Sequence, residues 1–196
     1  MPKMTTLNQF LRRLPPALAL LVVLWAPTSG VAGEAQARVP ARPDYPVPPP
    51  DAKRLFFLQR SSNSNTVVYD ANLTRDGKLD PERPVEVYWL RYNTTGEKRA
   101  LNFIERHLAY GVNSRPADDD EEAFLVSLVA FKERRLRVVL DGEGGVRATT
   151  TIAGRPAELR RLFIEVVDGL FPTVVHVDIF GEDVATGEVL YERFIP

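Results

Sequence analysis

The chain has 196 residues, 44% hydrophobic and 26% charged, which predicts a packed globular core and excludes a wholly disordered chain. It has no cysteine, so disulfides, Cys-based zinc sites, thiol catalysis and a lipidated N-terminal Cys are excluded as well. The formal net charge of -1 comes with no basic stripe, which argues against a nucleic-acid partner.

Residues 1–33 have the three parts of a secretory signal. Lys3, Arg12 and Arg13 supply a basic start with no acid, Ala17 to Ala26 is apolar, and small residues follow, with Gly33, Ala35 and Ala37 as candidate last residues. The apolar run is shorter than the roughly 20 residues a bilayer span needs, so no stable transmembrane segment is expected once the signal is removed. The alternative, a buried core helix, fits less well because Pro15, Pro16 and Pro27 fence the run. The expected location is periplasmic or secreted. Residues 34–52 carry Pro40, Pro43, Pro46, Pro48, Pro49 and Pro50, and read as an extended, solvated spacer or, alternatively, a ligand for a proline-binding groove.

A single β-rich domain is expected over 53–196. Leu55 to Arg60 and Thr66 to Asp70 are rich in aromatic and β-branched residues, and Ser61 to Asn65 between them is all Ser and Asn, which together predict a hairpin. Leu73 to Pro84 is a polar connection whose Asp76-Gly77 marks a turn; its acids lack calcium-loop spacing. Val85 to Tyr92 is the clearest strand. It has large apolar groups on both faces and is expected to be central, with Trp89 buried. Leu101, Ile104 and Leu108 recur at helical spacing, which predicts a helix over 95–111 with Thr95 as N-cap, His107 in the last turn and Gly111 beyond the end. The acids from Asp118 to Glu122 read as a solvated loop.

Strands are then expected over 123–131, 136–141 and 146–152, with turns at 132–135 and around Gly142, Gly144 and Gly145. Residues 157–167 fit either a helical stripe or an alternating strand, and the strand-like spacing of the flanking turns favours strand. Thr173 to Phe180 and Val189 to Ile195 complete the domain. About nine short strands with one inserted helix predict a single antiparallel barrel or sandwich.

The hairpin residues Gln59, Arg60, Asn63, Asn65, Thr66, Tyr69 and Asp70, the strand residues Val87, Tyr88, Trp89 and Arg91, the run Ala109-Tyr110-Gly111 and the ending FGEDVATGEVLYERF together resemble a bacterial family, domain of unknown function 4833. The resemblance covers about residues 54–194. It implies a single exported domain and assigns no activity, cofactor or catalytic residue.

Two constellations could carry chemistry. His176 and Asp178 share a strand face, and such an Asp can hold an imidazole in one tautomer as hydrolytic triads require. No nucleophile motif accompanies them, and two histidines in the chain are too few for a His-based zinc site, so no metal or other cofactor is expected. The second cluster is Gln59, Arg60, Asn63, Asn65, Tyr69 and Arg91. Two guanidiniums beside an Asn-rich turn could clamp a small anionic ligand, or the same residues could hold the turn's own backbone. The preferred reading is an exported, non-catalytic binding or envelope-associated module. A small hydrolase of an envelope polymer using His176 and Asp178, and a structural partner of another envelope protein, are the alternatives.

Overall fold

Alternation of apolar side chains turns into pairing where the chain folds back on itself. The first example is the hairpin of β1 (Arg54–Arg60) and β2 (Asn63–Ala71), which pair antiparallel around a tight turn where Ser62 takes a left-handed φ of 59°. The computed structural model describes residues 44–141, 144–167 and 173–196. The expected export signal lies outside them, as does part of the turn after Asp141. Nine further strands follow: β3 (Val85–Arg91), β4 (Glu97–Ala100), β5 (Val112–Ala117), β6 (Asp120–Leu128), β7 (Phe131–Leu140), β8 (Val146–Ile152), β9 (Arg155–Val167), β10 (Thr173–Asp183) and β11 (Val189–Phe194).

The strands run in the order β4-β3-β2-β1-β9-β8-β7-β6-β5 as one curled, open sheet, a half-barrel, with β10 and β11 joined through β9. This corrects the expectation of a closed antiparallel barrel or a sandwich. The sheet is mixed, because β1 pairs parallel to β9, with Leu58 opposite Leu162. Ser61 locks that pairing: its N–H donates to the Ile164 carbonyl at 2.9 Å, and its Oγ accepts from the Val166 N–H at 2.8 Å. Along one edge of β9 runs β10; the other edge takes β8 in its first half and β1 in its second. One long strand therefore serves both walls of the half-barrel.

The ambiguous segment 157–167 is strand, and its helix-like spacing has a cause. Gly181 pairs with Leu159 and Phe180 with Arg161, so Arg160 is an extra residue in β9. The bulge flips the alternation: Ala157 and Leu159 face the core before it, and Leu162 after it. Gly181 is required at this point, since a Cβ there would lie 2.4 Å from the Glu158 carbonyl oxygen.

The expected helix over 95–111 is corrected too. Its first half is β4, paired with β3 through a turn in which Gly96 takes a φ of 75°. Only a short helical stretch follows, ending in the π-helical turn Glu105–Ala109, where the Tyr110 N–H reaches the Glu105 carbonyl at 2.7 Å. Asn102 rather than Thr95 caps it, exchanging bonds of 2.8 Å with Glu105 in both directions. The residues read as a polar loop before Ala123 form β5 and the start of β6, and ion pairs hold the acidic block: Asp119 and Asp120 meet Arg137 at 2.8 and 3.0 Å. With β4 and β5, nine expected strands become eleven.

The core fills the concave face. Trp89 is buried there, edge-on to Tyr110 at 4.9 Å, and Phe56 stacks on Tyr69 at 4.3 Å. The described end of the proline-rich stretch is not a free spacer. Tyr45 stacks on Phe163, Pro48 is buried, and Gln59 Nε2 donates to the Pro46 carbonyl at 2.9 Å, so this segment straps the convex face of β1.

Candidate functional site

At one end of the half-barrel the concave face is not filled by its own side chains. The strand ends that meet there are the last residues of β1, β6, β9 and β11 and the first of β7 and β10, and they enclose a cavity of about 730 Å³. The alternation of each strand decides what faces it. β1 contributes Leu58 and Arg60, and β9 contributes Leu162, Ile164 and Val166. Val174 and Val177 come from β10, and Phe194 from β11. Leu128, Phe131 and Glu133 from β6 and β7 form the facing wall, and Leu108, Ala109 and Tyr110 of the helical segment reach over the opening. Arg60 and Glu133 are the charged residues of this lining. The volume falls within the range of small-molecule sites, and an apolar wall with few charged groups is their usual character.

Of the candidate site residues read from the sequence, Arg60 alone lines this cavity. Arg91 shares its face of the sheet, since Val67 pairs with both Leu58 and Trp89, each two residues away from an arginine. It lies two strands over, however, with its Nε 3.5 Å from Asn93 Oδ1. Asn63 and Asn65 hold backbone: Asn63 Oδ1 accepts from the Asn65 N–H at 2.9 Å and Asn65 Oδ1 from the Asn93 N–H at 3.1 Å. Tyr69 is fully buried in the core, its hydroxyl donating to the Tyr110 carbonyl at 2.9 Å, and burial pushes its pKa well up. Gln59 is buried on the opposite face under the proline strap.

His176 and Asp178 sit on the convex face of β10, their Nε2 and Oδ2 3.5 Å apart. Asp178 is buried and accepts three side-chain hydrogen bonds. Arg193 reaches it with Nε at 2.7 Å and Nη2 at 3.0 Å, and the Tyr191 hydroxyl donates at 2.8 Å. Burial pushes the Asp178 carboxyl up, but Arg193, Tyr191 and His176 outweigh it and hold the group below its ordinary range. Its neighbour Arg161 lies between the rings of Phe163 and Phe180, at 5.6 and 5.0 Å. A similar polar knot ties Asp70 to Arg54 Nε at 2.5 Å and to the Tyr88 hydroxyl at 2.6 Å. Both knots pin strands together.

The apolar lining was missed as a site because each residue reads as ordinary core; alternation shows which face a side chain takes, not whether that face is filled. Among the described residues, no three His, Asp or Glu stand together as metal ligands do, and no helix is long and apolar enough to cross a membrane. In comparison with known proteins, the family model of a domain of unknown function, DUF4833, matches residues 56–193. Neither the curated proteins nor the solved structures yield a match.

Proposed function

From the premise that this chain belongs to the DUF4833 family, we propose that it is an exported, non-catalytic binding module whose ligand is small and largely apolar. The observation that carries this reading is the cavity at the open end of the half-barrel, apolar over most of its wall with Arg60 on one side. Burying apolar surface there supplies affinity at about 25 cal/mol per Å². Arg60 supplies a partner for an anionic head, worth about 1.5–3 kcal/mol. Export rests on the basic, apolar and small-residue segments of 1–33.

The hydrolytic alternative has less support. His176 and Asp178 lie on the face opposite the cavity, and both Asp178 oxygens already accept from Arg193.

The test is binding of a fluorescent fatty acid, an apolar chain with an anionic head. The wild type is expected to bind it. Val174→Trp, which fills the mouth, and Arg60→Gln are each expected to weaken binding by about tenfold or more, with the melting temperature little changed for Val174→Trp. A wild type that does not bind, or a Val174→Trp variant that binds as well as the wild type, overturns the reading.

A further inference from the structure

Large apolar side chains are left in water chiefly around the cavity mouth. Of the ten such exposed side chains among the described residues, seven lie on segments that rim it. Three are in the helical segment, Phe103, Ile104 and Leu108; three stand where β9 ends and β10 begins, Val167, Val174 and Val175; the seventh adjoins Phe194. Phe103 and Leu108 are 75% and 73% exposed, a large apolar surface for a segment of six residues.

Two exposed arginines accompany the helical segment. Arg106 and His107 stand between Ile104 and Leu108, and the exposed Arg99 precedes them. The His107 ring lies on Phe103 with centroids 4.2 Å apart. The acid of the turn, Glu105, accepts from the exposed Asn102 N–H at 2.8 Å, and Lys98 is held by Glu86 at 2.9 Å. What remains outward is an apolar tip flanked by two arginines, Arg99 and Arg106, a pattern that suits the headgroup layer of an anionic membrane.

We propose that the mouth of the half-barrel docks on an anionic bilayer surface through the Phe103–Ile104–Leu108 tip, and that the cavity takes the acyl chain of a lipid from that surface. This rests on the reading of the cavity as a ligand site. It adds the source of the ligand and the side of the molecule that faces it. Leu108 belongs both to the exposed tip and to the cavity lining, so a chain leaving the bilayer passes from one to the other along apolar groups.

The experiment is flotation with vesicles, using protein purified from cells that express the full chain. One vesicle population is phosphatidylcholine alone and the other is equal parts phosphatidylglycerol and phosphatidylcholine. The wild type is expected to float with the anionic vesicles and to lose most of that association in about 0.5 M salt. Phe103→Ser/Ile104→Ser should weaken it about tenfold or more, and Arg99→Gln/Arg106→Gln several-fold, with both variants still binding the fluorescent fatty acid from solution. A wild type that binds the fatty acid but neither vesicle overturns the membrane proposal and leaves the cavity reading standing. Equal binding to both vesicle types, or a Phe103→Ser/Ile104→Ser variant that floats like the wild type, overturns it as well. A wild-type dimer that the same variant turns into monomers, without vesicle association, assigns the tip to a second copy instead. Loss of both fatty-acid and vesicle binding in the wild type defeats both readings.

Discussion

Asp178 and Trp89 show how single side chains are held. The folded Asp178 carboxyl titrates below its ordinary value of 3.8, so its charge contributes stability at pH above that value, and the contribution disappears as pH falls through the folded pKa. Asp178→Ala is therefore expected to cost about 1–3 kcal/mol at neutral pH, at the lower end where water screens the partly exposed Arg193. The stability gap between the wild type and the variant should narrow as pH falls below 3.8 and through the folded pKa; a gap that is independent of pH would mean that the carboxylate's charge is not what matters. Trp89 was expected to be buried and is, at 7% exposure, against Tyr110 and the β2 side chains. Trp89→Ala is expected to cost about 3–5 kcal/mol, and a variant that melts within a degree of the wild type would contradict the packing described. The roles of Arg60 and Arg91 were less legible. Their common face follows from residue spacing within strands that pair as expected, but only the curl of the sheet brings Arg60 to a cavity and leaves Arg91 beside Asn93.

At the scale of elements, turn chemistry and period-2 alternation account for most of what the sequence reading recovered. The strands beginning at 85, 146 and 173 could be placed because apolar alternation ran between clear turn residues. β4 and β5 were missed for a physical reason: their residues are almost all exposed, so burial imprints no pattern on EKRA or VNSRPA. The bulge at Arg160 had the opposite effect and imitated a helical stripe in a strand. Gly181 tests that bulge. Gly181→Ala places a methyl against the Glu158 carbonyl and Ile152, so it is expected to cost about 1–3 kcal/mol and to lower the melting temperature by several degrees. A neutral substitution would mean that β9 and β10 do not approach as closely as described.

At the scale of the molecule, the half-barrel joins its two walls through β9 and is strapped outside by Tyr45 to Pro50. Under the export proposal, the strap sets how far the chain can be trimmed without loosening the convex face. On that proposal, mass measurement of the protein recovered outside the cytoplasm is expected to find a new N-terminus between about residues 33 and 38, which leaves the strap whole. A product that retains residues 1–33 would defeat the export proposal. A product trimmed past Tyr45 would leave the Ser62 N–H without the Tyr45 hydroxyl, 3.1 Å away, and should melt lower.

The sequence by itself determined the β class, most of the strands and the buried tryptophan, because these depend on local alternation, on turn residues and on which face must leave water. The tertiary structure alone decided that β1 lies parallel to β9, joined by contacts such as Ser61 to Val166 across 105 residues. It also decided that the sheet curls without closing. Pairing at such a distance depends on which strand edges the local hairpins leave free, and a cavity depends on whether facing walls meet. Neither quantity is a property of any one stretch of residues, and both had to be in place before Arg60 and the apolar ends of six strands could form a site.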